Sequence, residues 1–266
     1  MTGHNRMPVR QVIVHGDCWP VTTAVAHLVR TFLPGSDCET TYRLPALLQQ
    51  LRRKPEAILI LCQRPREHLF LFYALRQVLP DHPVMVISDE LLFSDRLVLQ
   101  SWGDIPVVLQ GDLTGMVTRL KLNKPWQSST DKRGQETLIT FLSDPKPVTG
   151  FFAVPPTFIT QKRLMNYMAL LMYRASVKQG VSPAQLKLLE EVYKGRGKIS
   201  ALSGKLQKGE KQLWQDKYRL LVKLGMNNRL RELLFGTRFC EAVQRTPFMA
   251  PGKTEQCHNS PDWYDS

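Results

Sequence analysis

Nowhere in these 266 residues do 18 apolar residues run together, so the sequence offers no ordinary membrane-spanning helix. The N-terminal residues lack the apolar h-region of a secretory leader, and a cytoplasmic protein is expected. Cysteine is sparse: Cys18, Cys38, Cys62, Cys240 and Cys257 are an odd, scattered set without a CxxC pair. That argues against a disulfide framework or a zinc site, and for a reducing compartment. There is also no GxGxxG, no P-loop, no GxSxG elbow and no metal-spaced His/Cys set. The common motif-borne routes to enzyme chemistry are therefore missing, and neither an enzyme nor a cofactor is expected. His15 and His68 have no partner cluster in the sequence that would make them catalytic. Acid is in short supply, with 23 Asp and Glu against 36 Lys and Arg, for a net charge of +13.

An apolar fraction of 43% suffices for packed cores, and the length suits two domains rather than one. The positive charge is unevenly placed. Residues 161–240 hold seventeen Lys/Arg and five Asp/Glu, a surplus of twelve that covers nearly all of the excess. A nucleic-acid backbone suits such a surplus, through counterion release. A solvated basic face and an anionic membrane surface are the other readings.

Residues 11–14, 38–43, 57–62, 83–87 and 105–109 are short strand-type runs, of which Ala57-Ile58-Leu59-Ile60-Leu61-Cys62 is the clearest. Helical spacing fills 21–33, 44–53, 67–79, 91–102 and 113–121. Five alternations predict a doubly wound parallel sheet with helices on both faces, in the flavodoxin-like order 2-1-3-4-5. An α/β domain is therefore expected over 1–122. Residues 123–156, with polar NKPWQSSTDKRGQ and Pro145, Pro147, Pro155 and Pro156, read as an exposed linker. An all-α domain follows over 157–240, and 241–266, broken by Pro247, Pro251 and Pro261, reads as a flexible tail. The first helix of the all-α part, 157–178, carries Leu164, Met168, Leu171 and Met172 along one face. That apolar side either packs on its own domain or pairs two chains.

Residues 181–234 read as four short helices. Ser182-Pro183 supplies an N-cap and a proline at the first helical position, and Leu186, Leu189 and Val192 recur at helical spacing up to Gly195. A second helix over 198–206 buries Leu202 and Leu206. The break Gln207-Lys208-Gly209 starts a third at Glu210, ended by Gly225, and a fourth carries Leu230, Leu233 and Leu234. Helix, tight glycine turn, helix is the geometry that holds a recognition helix in the major groove.

This stretch resembles the LuxR/NarL (FixJ) type of helix-turn-helix domain, on V-S-P-x-Q-L-x-L-L at 181–189, the following Gly195, and Lys223-Leu224-Gly225. It departs in one extra residue between Gly195 and Leu202, in Gly209 where serine is usual, and in Gly204 inside the second helix. An α/β domain ahead of it resembles, in layout, the receiver domain of response regulators. The two resemblances imply a receiver-like five-stranded parallel sheet followed by a four-helix LuxR-type domain. They imply a bacterial sequence-specific transcription regulator that binds double-stranded DNA as a homodimer or as a heterodimer with another regulator, with no membrane partner. Receivers hold magnesium on acidic residues after the first strand and accept phosphate on an aspartate at the end of the third. They use a hydroxyl after the fourth strand and a lysine after the fifth. Here Asp17 is the one carboxylate at the first place, Leu61 or Cys62 falls on the acceptor, Ser88 fits the hydroxyl, and Gln110 replaces lysine. One aspartate is a poor start for Mg²⁺. The expectation is an atypical response regulator with a pseudo-receiver, no phosphorylation site and no metal. Asp17 then reads as a strand-end residue and Cys62 as a buried apolar one.

A wheel of 100° per residue puts Leu213, Leu220 and Leu224 on the core side of the third helix. Lys211, Gln212, Gln215, Tyr218, Arg219 and Val222 fall on the other side. The resemblance implies base reading from Trp214, Gln215 and Tyr218. Gln215 suits bidentate contact with adenine, and Lys211 or Arg219 suits phosphate or guanine. Trp214 and Tyr218 either touch thymine methyls or cover the second helix. The expected DNA-binding set is Lys211, Gln212, Trp214, Gln215, Tyr218 and Arg219, with Glu210 and Asp216 repelling phosphate if they point outward. Those two acids motivate a second reading, an auxiliary regulator whose specificity comes from a heterodimer partner.

Overall fold

A computed structural model describes residues 10–113, 132–150, 152–194, 199–227 and 229–250. Among them, 10–91, 99–156 and Arg245–Met249 cluster as an α/β unit, and Leu92–Val98 with 157–244 as a helical unit.

The α/β unit is built on β1 (Gln11–Gly16), β2 (Asp37–Thr41), β3 (Ile58–Cys62), β4 (Val84–Ser88) and β5 (Val107–Leu109). All pairings are parallel and the order is β2-β1-β3-β4-β5, as the alternating pattern predicts. β3 and β4 are buried at every residue, because helices cover both faces of a central parallel strand and leave no solvent side. The edge strand β2 is polar, and Lys54 Nζ reaches Asp37 at 2.6 Å and Glu39 at 2.8 Å along it. Register places Gly16 beside Cys62, so β1 and β3 end at one level. Gly16 is required there: a Cβ would lie 2.4 Å from Thr22 Oγ1 and 2.7 Å from the Cys62 carbonyl oxygen.

The helices of the α/β unit are α1 (Trp19–Phe32), α2 (Leu44–Arg53), α3 (Leu69–Leu75) and α5 (Lys132–Ser143), while α4 (Phe93–Ser101) begins in the Leu92–Val98 segment that clusters with the helical unit. α1 starts two residues before the expected 21, since Pro20 is accommodated in a first turn. The helix expected over 67–79 shrinks to α3, between short 3₁₀ turns at Pro65–Glu67 and Leu79–Asp81 whose prolines cannot continue a helix. Of the helix expected over 113–121, residues 114–121 lie outside the described residues. Of the stretch read as an exposed linker, 123–131 lie outside the described residues and Lys132–Ser143 form α5. Leu138 and Leu142 of α5 are fully buried in the core that includes Val14, Val29 and Val108. Beyond α5 the chain returns to the end of α4, where Asp104 N–H donates to the Thr149 carbonyl at 2.6 Å and Ala153 N–H to Ser101 at 3.0 Å. Trp102, fully buried, stacks on Phe72 at 5.8 Å.

The helical unit contains α6 (Gln161–Lys178), α7 (Pro183–Tyr193), α8 (Ile199–Leu206), α9 (Glu210–Lys223) and α10 (Leu230–Gly236). Ser182 and Gln185 form a reciprocal capping box at the start of α7. Leu188, Leu202 and Leu213, one from each of α7, α8 and α9, make the central contact, with Val192 and Leu206 against them. Of the residues at helical spacing, Leu189 is buried and Leu186 half-buried, while Leu188, outside that set, turns inward. The turn between α8 and α9 differs from a glycine turn. Gln207 takes the left-handed conformation at φ +52°, while Gly209 has φ −60° and caps α9 without a side chain. Gly225, at φ +59°, closes α9 with Met226 N–H donating to the Leu221 carbonyl at 2.9 Å. On α6, Leu164, Met168, Met172 and Ser176 are buried one turn apart, whereas Leu170, Tyr173 and Val177 stay exposed.

Candidate nucleic-acid interface and the strand-end crevice

Leu213, Leu220 and Leu224 are each at most 2% exposed, which fixes the rotation of α9. Lys211, Gln212, Trp214, Gln215, Tyr218 and Arg219 are then all exposed. Trp214 is 50% and Tyr218 67% exposed. Lys217 Nζ sits 4.9 Å from the Trp214 ring centroid, close enough for a cation–π contact, and burial lowers the lysine pKa.

Two acids of this unit, Asp216 and Glu191, are tied to lysines. Asp216 receives Lys208 Nζ at 2.6 Å and its carbonyl accepts from Gln185 Nε2 at 3.3 Å, so its carboxylate is neutralised at the base of the turn. Glu191, 4% exposed in its side chain, pairs with Lys205 and lies 3.5 Å from Lys194 Nζ; the Lys205 contact lowers its pKa. Glu232 accepts the Asn227 N–H at 2.6 Å. Glu210 lies exposed in the first turn of α9, where the helix dipole favours a carboxylate. The face of α9 thus carries cations, amides and rings together. Cations, amides and rings are the side-chain types that meet phosphate oxygens and base edges in nucleic-acid interfaces generally.

The α/β unit has a second feature, a crevice of about 200 Å³ at the carboxyl ends of its strands, where open parallel sheets ordinarily receive ligands. Asp17, Cys62, Gln63, Arg64, Glu67 and Arg245 are among the residues lining it. Arg64 Nε donates to Asp89 at 2.8 Å and its NH1 pairs with Glu67 at 3.0 Å. Asp17 lies 3.3 Å from His68 Nε2 and pairs with Arg245. The hydrogen bond from His68, then the Arg245 charge, hold the Asp17 carboxyl well below the ordinary range. Cys62 is buried and its thiol pKa is pushed up by desolvation, which makes it inert rather than nucleophilic. Ser88 is fully buried and donates to the Glu90 carbonyl at 2.7 Å. His15 is buried against Thr41, 2.9 Å from its hydroxyl, and burial lowers its pKa to about 4. Among the described residues no group of three or more His, Cys, Asp or Glu side chains is arranged to hold a metal ion.

His68 has a partner cluster after all, since Asp17 and Thr246 flank its two ring nitrogens. No short-range signal announces it, because Thr246 lies 178 residues away. Thr246 is buried, at 8% exposure, which suits anchoring and not attack on a substrate.

No protein-family model matches the sequence, and no curated protein matches it. Several solved structures match along most of the chain. The two-component response regulator RcsB in complex with DNA is 16% identical with a TM-score of 0.48, over 85% of this chain and 96% of that one. RcsB from Salmonella enterica serovar Typhimurium bound to promoter rprA with phosphomimetic BeF3⁻ gives 16% and 0.49, over 85% and 96%. The response regulator StyR gives 13% and 0.31, over 85% and 96%. Identities this low with TM-scores under 0.5 assign neither a family to the chain nor a role to any residue.

Proposed function

We propose that this protein is a bacterial, sequence-specific DNA-binding transcription regulator that is not switched by aspartyl phosphorylation. The observation that carries the reading is the outward face of α9, where Lys211, Gln212, Trp214, Gln215, Tyr218 and Arg219 are exposed while Asp216 is tied to Lys208. α9 enters the major groove; Gln215 reads a base edge, and Lys211 and Arg219 fix register on phosphate. The α/β unit serves partner binding rather than phosphoryl chemistry, because β3 ends in a buried cysteine and Asp17 is already paired with Arg245. The protein works in the cytoplasm, without enzymatic activity, as a dimer. The exposed stripe Leu170, Tyr173 and Val177 on α6, spaced for one helical face, supports pairing of two chains. We propose a receiver-like α/β domain over 1–122, joined through 123–156 to a LuxR-type domain over 157–240.

The test is selection of the full chain against a random-sequence DNA pool at two salt concentrations. Enrichment of one motif that survives the higher salt supports the reading, and a palindrome supports a homodimer. Salt-sensitive binding with no enriched motif would sink it. The exposed Glu210 at the head of α9 favours a second reading, an auxiliary regulator that gains its specificity from a heterodimer partner. That reading expects motif enrichment only when the partner is added.

A further inference from the structure

Arg245–Met249 follows the helical unit in the chain yet clusters with the α/β unit, where a loose tail was expected. Three kinds of contact seat it. The Arg245 N–H donates to the Glu67 carbonyl at 2.8 Å, while its guanidinium pairs with Asp17 and, at 3.1 Å, with Glu67. Thr246 Oγ1 hydrogen-bonds His68 Nδ1 at 2.9 Å. The Phe248 ring meets Phe70 edge-on at 5.6 Å and stacks on Tyr73 at 5.7 Å. We propose that the strand-end crevice and the adjoining face of α3 are a docking site for a short peptide with arginine and, three residues on, an aromatic ring, of which Arg245–Met249 is the resident, displaceable occupant.

Displaceability follows from how incompletely the segment satisfies the site. The Arg245 side chain is 54% exposed, so water and salt screen its ion pairs. Gln63 lines the same crevice at 3% exposure, and neither its Nε2 nor its Oε1 finds a hydrogen-bond partner. A buried amide left unpaired is unfavourable, and a competing peptide able to offer it a backbone amide would gain what the resident does not supply. Occupancy therefore leans on covalent connection, which keeps the segment at a high effective concentration. This reading of the crevice stands whether or not α9 reads DNA.

Hydrogen exchange on the full chain tests it. The Arg245 amide should exchange at least tenfold more slowly than in a free peptide of the same sequence. Millimolar peptide QRTPFMAPG should accelerate that exchange, and the same peptide with its arginine and phenylalanine replaced by alanine should not. In the full-length Asp17→Asn/Phe248→Ala variant the protection should vanish while the Leu59 amide, bonded to the Pro83 carbonyl at 2.8 Å, keeps its own. Should that variant lose Leu59 protection as well, the peptide competition on the unaltered chain decides. An Arg245 amide that exchanges at the free-peptide rate overturns the proposal. So does protection that the peptide cannot reduce, or equal effects from both peptides.

Discussion

The two units treat charge in opposite ways. At the strand ends of the α/β unit, guanidinium groups are turned onto carboxylates: Arg64 onto Glu67 and Asp89, Arg245 onto Asp17 and Glu67. In the helical unit Asp216 is drawn inward by Lys208 and Glu191 by Lys205, while Lys211 and Arg219 of α9 face solvent. The first arrangement closes a crevice around its own ion pairs. The second leaves a basic helix face whose long-range attraction falls with salt, which is the behaviour of a polyanion-binding surface. A basic composition alone would not distinguish them; the positions of the acids do.

The sharpest way to break this contrast is to remove the outward cations and amide together. Lys211→Ala/Gln215→Ala/Arg219→Ala should weaken binding to the selected DNA motif by about 100-fold or more, measured by fluorescence anisotropy, since a bidentate base contact alone contributes roughly 1–3 kcal/mol. Unchanged affinity would remove α9 from the interface.

A second test separates the units by acid. The folded pKa of His15, about 4, lies below its ordinary 6.5, so the unfolded chain takes up the proton first as pH falls. The stability is whole above pH 6.5 and is lost between 6.5 and 4, by roughly 2–3 kcal/mol. Residues 157–244 contain no histidine, so the helical unit should not share that window. Urea unfolding followed at pH 7 and pH 4.5 checks both, and His15→Gln should flatten the dependence.

Smaller effects probe the helical unit itself. Gly204 lies exposed within α8 with nothing near an added Cβ, so Gly204→Ala should stabilise by about 1 kcal/mol, read as a raised denaturation midpoint. Gln207→Gly should stabilise by about 0.5–1 kcal/mol, by relieving a left-handed non-glycine residue. Neither substitution should alter unfolding of the α/β unit.

Legibility followed the range of the interaction. The central strands were readable because parallel strands covered on both faces need unbroken apolar runs, and Ile58–Cys62 and Val84–Ser88 are such runs. The inward leucines of α9 were readable because helical periodicity is a local property, and the exposure of Lys211, Gln215 and Arg219 follows from it. α5 is not legible as a helix, since its two deeply buried leucines sit in a short apolar piece, 137–142, too brief to show a helical period, and they declare themselves only against α1 and β5. The break Gln207-Lys208-Gly209 is legible as a turn, but its left-handed residue is Gln207 and not the glycine that such a conformation ordinarily favours.

The sequence by itself determined the alternation of strands and helices, the parallel order, the helix-turn-helix stretch and the side of α9 that faces out. Each of these is set by residue spacing within one element or by the handedness of short connections. Tertiary structure alone decided which acids are neutralised and where the chain beyond residue 244 goes. Asp17 and Arg245 stand 228 residues apart, and a pairing over that separation leaves no mark in periodicity or composition. It exists only because the folded sheet brings β1 and α3 to one edge, where a guanidinium finds two carboxylates together.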